Sequence, residues 1–174
     1  MNEVDTPATS RRGAGAVRIL EGQAGSDAAA RAMAAYVAEL DQRLPTGFDP
    51  ALATAVDPRE VTPPDGDFML LSDVGTRQVV GFGAVRVVEP GVVEIKRMWL
   101  RPDARGQGLG RFLLRSLENR ARALGARRVI LGVNEDLVEA VELYLSSGYA
   151  GIEPFEDNPF ITHFLGKRLL PPSS

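Results

Sequence analysis

The sequence predicts an α/β domain with a mixed, mostly antiparallel central sheet, helices on its flanks and one parallel βαβ unit. Three observations carry that prediction. Strand-like runs at 68–72, 78–88 and 92–100 are joined by the turn signals Asp73-Val74-Gly75 and Glu89-Pro90-Gly91, the pattern of an antiparallel meander. After Pro102 the apolar spacing turns helical, with Leu109, Leu113, Leu114, Leu117, Ala121 and Leu124 on one face and Gly125 placed to end the helix. Residues 129–133 are then almost wholly apolar, as in a strand buried on both faces. Strand, glycine-rich turn, helix and strand over 92–134 make the βαβ unit, with a right-handed crossover.

The remaining elements follow from the chain ends inward. Residues 1–15 are small and polar with proline and glycine and read as a mobile tail, as do 171–174; a single domain is expected over 16–170. Residues 17–20 form a short strand. Ser26-Asp27 offers a helix cap, followed by Ala29, Met33, Tyr36, Val37 and Leu40 on one apolar face. The stretch 44–67 carries five prolines and reads as a long loop with one helical turn around 51–56. A second helix is expected over 136–147, with Asp136 and Glu139 as a capping box and Gly148 after it; 160–169 reads as the last strand.

Composition excludes whole classes of chemistry. The 174 residues are 44% hydrophobic, enough for one real core. With no cysteine there is no disulfide frame, no thiolate nucleophile and no Cys-based zinc site, and the single histidine, His163, excludes multi-His metal sites. No metal is expected. No apolar run approaches the ~18–20 residues of a membrane span, and Arg11-Arg12 has no apolar segment behind it, so a cytoplasmic protein is expected, with no membrane partner. Net charge is −3, but 94–128 holds ten basic and three acidic residues between two acidic flanks. That division suggests an anionic ligand in the middle and a cationic one nearby. Nucleic acid is disfavoured, because the chain is acidic overall and the arginines fall on a helix that needs them for solubility.

The turn Arg105-Gly106-Gln107-Gly108-Leu109-Gly110 stands where a helix starts. Its glycines let backbone approach a ligand, and the unpaired N–H groups of the first helical turn favour phosphate. A Walker loop is absent. A dinucleotide fingerprint fails because Arg111 stands where its last glycine is needed, and the preceding strands are antiparallel.

Glu94-Ile95-Lys96-Arg97-Met98-Trp99-Leu100-Arg101-Pro102 followed by this turn resembles the signature of the GCN5-related N-acetyltransferases (GNAT), whose turn reads Gln/Arg-x-x-Gly-x-Gly/Ala; Arg105, Gly108 and Gly110 match it. The segment from Ala140 through Tyr144 to Gly148-Tyr149 resembles the family's closing helix, Ala-x-x-x-Tyr-x-x-x-Gly-Phe/Tyr. The resemblance implies a GNAT-like fold and acetyl-CoA held between the two parallel strands. Backbone groups of Met98, Trp99 and Leu100 would pair with the pantetheine arm, and N–H groups of Arg105, Gly106, Gln107, Gly108, Leu109, Gly110 and Arg111 would hold the pyrophosphate. The side chains of Arg111, Arg115, Glu118 and Arg122 read as a solvated helix face, the last three as surface pairs.

The implied activity is transfer of an acetyl group directly to a primary amine, on a small molecule or a peptide, in a ternary complex; the alternative is a non-catalytic acyl-CoA-binding regulatory module. A homodimer is open. A lysine-like amine, with pKa ~10.4, needs a base at neutral pH, and a leaving thiolate, with pKa ~8.5, gains from an acid. Tyr144 is the acid candidate, matching the family's tyrosine near the thioester sulfur; it lies on one helix face with Leu137, Ala140 and Val141. Glu94, eleven residues before Arg105, is the base candidate, either directly or through water, or else a strand carboxylate paired with Lys96. Strand alternation puts Glu94 on one face with Lys96 and Met98. Where many members carry an asparagine, seven residues before the tyrosine, Leu137 stands here. Asn134 would serve the cofactor instead or cap a helix. His163 either lines the acceptor site or points outward. The acidic, aromatic turn 155–160 either attracts a cationic amine or is an ordinary polar turn.

Overall fold

The computed structural model describes residues 9–12, 15–52 and 56–170. In chain order it comprises β1 (Thr9–Arg12), β2 (Gly15–Leu20), α1 (Asp27–Arg43), a 3-10 turn at Pro50–Leu52, β3 (Gly66–Asp73), β4 (Val79–Glu89), β5 (Val92–Leu100), a 3-10 turn at Pro102–Ala104, α2 (Leu109–Ala123), β6 (Arg128–Val133), α3 (Val138–Ser146), β7 (Ala150–Gly151) and β8 (His163–Arg168). The strands form one sheet in the order β1-β2-β3-β4-β5-β6-β8-β7. All neighbours are antiparallel except β5 and β6.

Local chemistry accounts for most element limits. The Ser26 hydroxyl accepts the Ala29 N–H at 3.0 Å and starts α1. Gly125, at φ +93°, and Gly148, at φ +94°, take the left-handed conformation that lets the chain leave α2 and α3. Two expectations need correction at the periphery. Residues 9–12, read as tail, pair with β2: backbone pairing at a sheet edge needs no apolar pattern to announce it. Residues 1–8 and 171–174 lie outside the described residues, as do 53–55 of the expected 51–56 turn. The Asp136/Glu139 capping box is not formed. The Asn134 side chain accepts the Asp136 N–H at 2.8 Å, α3 begins at Val138, and the Glu139 carboxylate pairs with Arg43 of α1 instead.

Helices α1 and α2 cover opposite faces of the sheet, and strand alternation divides the core between them. Met69, Val85, Val93, Ile95, Val129 and Leu131 meet Leu113, Leu114, Leu117 and Ala121 of α2. Phe68, Leu70, Phe82, Ala84 and Trp99 meet Ala29 and Ala32 of α1. Phe68 and Phe82 stack with ring centroids 5.2 Å apart, and Tyr36 meets Phe82 edge-on at 5.7 Å. Gly83 keeps β4 bare where Leu117 crosses it: an added Cβ would lie 2.6 Å from the leucine side chain. Leu117 is fully buried, so Leu117→Ala is expected to cost roughly 2–5 kcal/mol of stability in urea denaturation, because close-packed neighbours relax only partly into the space left.

The polar-face reading of α2 fails at Glu118. It is buried, accepts the Tyr149 hydroxyl at 2.7 Å and pairs with Lys167 Nζ at 3.0 Å. Burial, with the Glu118 carboxylate beside it, pushes the Tyr149 hydroxyl well above its ordinary range. Arg122 reaches the Leu170 carbonyl and Asn119 rather than Glu118.

The decisive feature for the site is in β5. Its register with β4 runs Arg86↔Glu94 and Val85↔Ile95, then skips to Ala84↔Arg97 and Phe82↔Trp99, so Lys96 is one extra residue. This bulge resets the alternation. Val93, Ile95, Met98 and Leu100 belong to the α2-side cluster, while Trp99 packs on the α1 side. Met98 therefore does not share Glu94's face, as uninterrupted alternation would require. Pairing with β6 stops at Ile95↔Leu131, just before the bulge, while β6 continues beside β8 to Val133↔His163. The two parallel strands splay there, and the end of β5 is left without β6 on that edge.

Candidate active site

A cavity of about 270 Å³ lies at the splay. Its floor is Met98, Trp99 and Leu100 of β5, one end is the turn from Arg105 to Arg111, and its walls come from α1 and α3. Gly106 and Gly108 take φ +76° and +78°, and both are exposed, with nothing within 4 Å of where a Cβ would stand. The space in front of this backbone is open. The N–H groups of Leu109, Gly110 and Arg111 have no acceptor four residues back within the helix and none elsewhere among the described residues. Gly110 serves a different purpose: a Cβ there would press on Leu143 at 3.3 Å, so its absence lets α2 approach α3.

Side chains of the turn are mostly engaged by other groups of the protein. Leu109 is buried, against Val17, Leu71 and Val80. Gln107 reaches back to the Asp103 carbonyl at 3.3 Å. Arg105 folds onto the Leu100 carbonyl at 2.9 Å and the Glu39 carboxylate at 2.6 Å, stapling turn, strand end and α1 together. Arg111 donates to the Ser146 and Ser147 hydroxyls at 3.1 Å, tying α2 to the end of α3. What the turn offers a ligand is therefore backbone, with helix-start dipole behind it.

Tyr144 is buried, and its hydroxyl lies 3.6 Å from Met98 Sδ. Burial pushes its pKa up, so it holds its proton as a neutral donor. A second, smaller cavity of about 70 Å³ lies beyond it and shares Tyr36, Leu40, Met98, Leu137, Ala140 and Tyr144 with the first. Two openings thus meet at the phenols of Tyr144 and Tyr36. Glu94 lines the inner cavity at 2% exposure, with Arg86 Nε at 2.8 Å and Lys96 Nζ at 3.9 Å. Asn134 also lines it, but its amide is spent on the Phe160 carbonyl at 2.8 Å and on Asp136. The 155–160 turn enters through Glu156, Asn158 and Phe160. His163 is exposed at the start of β8, with Nδ1 2.9 Å from the Thr162 hydroxyl, and lines neither cavity.

The contribution of α1 has no signal in the sequence motifs. Tyr36, Glu39, Leu40 and Arg43 all line the larger cavity, and Arg43 pairs with both Glu39 and Glu139 across its mouth. Arg43 holds the Glu139 carboxyl below its ordinary range. An i, i+4 Glu39/Arg43 pair in sequence looks like any solvated helix pair; only the approach of α3 gives it a place at the groove.

The sequence model of the acetyltransferase (GNAT) family matches residues 33–149, which take in the C-terminal part of α1, the splay, the glycine turn and Tyr144. The chain belongs to the GNAT family. It is an N-acetyltransferase by class. The IAA acetyltransferase of Azospirillum brasilense is 34% identical over 125 residues, covering 71% of this GNAT chain and 80% of that protein. Among solved structures, an acetyltransferase of the GNAT family from Staphylococcus aureus Mu50 superposes with a TM-score of 0.73 at 15% identity, over 88% of this chain and 99% of that one. A GNAT family acetyltransferase from Elizabethkingia anophelis, solved with acetyl-CoA bound, superposes at 0.57 and 15% identity, over 88% and 98%. At such identities the likeness is one of fold. Among the described residues no group of His, Cys, Asp or Glu is arranged to hold a metal, and no helix is long and apolar enough to cross a membrane.

Proposed function

We propose that this GNAT protein transfers the acetyl group of acetyl-CoA directly to a primary amine while both substrates are bound, in the cytoplasm. The observation that carries the reading is the meeting of two cavities at Tyr144. The larger one, with open backbone N–H groups at one end and the unpaired edge of β5 along its floor, suits an extended arm ending in phosphates. The Elizabethkingia relative, which superposes on this fold, holds acetyl-CoA. Acetyl-CoA supplies an activated thioester.

The chain's own residues would do the rest. Met98, Trp99 and Leu100 would hold the arm through backbone groups, and the turn from Arg105 to Arg111 would hold the diphosphate through N–H groups. Tyr144, neutral and buried, would give its proton to the departing thiolate as the amine, its ammonium proton already passed to water, attacks the acetyl carbon. The C–S bond would break as the C–N bond forms, and the proton that the nitrogen sheds on becoming an amide would restore the phenol. The absence of cysteine favours this direct route over a thioester on the protein.

Titration calorimetry with acetyl-CoA is expected to give a dissociation constant well below the millimolar range, and no heat at millimolar ligand would remove the reading. Thiol release on addition of an amine distinguishes an enzyme from a regulatory module that only binds.

A further inference from the structure

The inner cavity contains two carboxylates in different circumstances. Glu94 is 2% exposed and already matched: Arg86, its direct partner across the β4/β5 ladder, donates to it at 2.8 Å, and Arg86 is itself backed by Glu60 at 3.1 Å. Glu156, carried by the segment between β7 and β8, has one hydrogen-bond partner among the described residues, with the Arg86 guanidinium acting on it only at longer range. That partner is Lys96 Nζ at 3.4 Å, the long edge of a hydrogen bond. Lys96 is the bulged residue of β5 and its one ammonium is divided between Glu156 and Glu94, 3.9 Å away. A carboxylate offers about four lone-pair sites, so Glu156, which lines the cavity, keeps most of its accepting capacity.

The walls around Glu156 are mixed, with the amides of Asn134 and Asn158 on the polar side and two aromatic rings on the apolar side. Phe48 and Phe160 pack with ring centroids 4.6 Å apart, and Leu44 and Ile161 stand beside them. The nearby cations are engaged: Lys96 by the two carboxylates, Arg97 by the Tyr36 hydroxyl. A small cavity with aromatic and aliphatic groups on one side and an under-used carboxylate at Glu156 suits an ammonium on a slender hydrocarbon stem. A carboxylate beside that ammonium, as in an α-amino acid, would have to compete with Glu94 and Glu156 for Lys96 and with the Tyr36 hydroxyl for Arg97.

Resting on the acetyltransferase reading, we propose that Glu156 receives the acceptor ammonium, that the acceptor class is a slender primary alkylamine lacking a neighbouring carboxylate, and that Glu94 is a structural ion pair. The test uses the whole chain with pentylamine and norleucine, which differ by one carboxylate. Wild-type protein is expected to release thiol with a kcat/KM at least about tenfold higher for pentylamine. Glu156→Gln is expected to raise the pentylamine KM by about tenfold or more, with acetyl-CoA affinity by calorimetry unaltered and Glu156→Asp intermediate. Glu94→Gln is expected to lower the melting temperature and leave the pentylamine KM in place. Preference for norleucine, an unmoved KM in Glu156→Gln, or a KM effect confined to Glu94→Gln overturns the proposal. If wild-type protein fails to bind acetyl-CoA, the acetyltransferase reading falls. The Glu156 assignment is then decided by calorimetry of pentylamine alone, and equal or absent binding in wild type and Glu156→Gln overturns it.

Discussion

Replacing Tyr144 with phenylalanine is expected to lower kcat by about 10²- to 10⁴-fold, the usual contribution of a general acid, while acetyl-CoA affinity stays the same. The ring is what packs against Tyr149, with centroids 5.8 Å apart, and phenylalanine preserves it. The hydroxyl's described partner is Met98 Sδ at 3.6 Å, a weak acceptor, so its removal costs little structure. The loss should therefore fall on chemistry rather than on folding. Steady-state thiol release and a melting curve separate the two: a lowered melting temperature with unchanged kcat would make Tyr144 a core residue only. Its titration gives a second handle. A phenol shifted above its ordinary pKa of ~10 keeps its proton as pH rises, so wild-type kcat is expected to show no falling limb from this group between pH 8 and ~10. A fall centred below 10 that disappears in Tyr144→Phe would contradict its burial.

Gly108→Val is expected to weaken acetyl-CoA by about 10- to 100-fold, with a much smaller effect on stability. Gly108 sits at φ +78°, where a β-branched residue is strained by roughly 1–3 kcal/mol. Nothing stands within 4 Å of the new Cβ, so the exposed turn is free to relieve the strain by rotating away. Relief turns the N–H groups out of their convergence, and binding must restore the strained form. Gly25, which likewise has open space for a Cβ but is not at positive φ, supplies the control: Gly25→Ala should leave affinity unaltered. Intact affinity in Gly108→Val, measured by calorimetry, would show that the turn's backbone does not hold the cofactor.

Much of this molecule could be read along the chain. The β5 limits, the glycine turn, the helix after it and its end at Gly125 rest on hydrophobic period and on backbone conformations that favour glycine, and both are local properties. The place of Tyr144 on one face of a short helix was legible for the same reason, while the family resemblance is what singled it out as the acid candidate. The bulge at Lys96 was not. One extra residue changes neither composition nor period enough to mark it, yet it moves Met98 to the face opposite Glu94 and ends the pairing with β6. Glu118, spaced like a surface residue, is buried because Tyr149 and Lys167, far along the chain, bring it a hydroxyl and an ammonium. The wall supplied by Tyr36, Glu39, Leu40 and Arg43, and the slack partner of Glu156, likewise depend on segments 60 or more residues apart. The sequence by itself determined where most of the strands, turns and helices stand, because those follow from local period and backbone freedom; the edge strand at 9–12 and the start of α3 were set by pairing and contacts across the fold. Tertiary structure alone decided which charges are satisfied and which are left for a ligand, because the energy of a buried charge depends on partners that only the folded chain brings near.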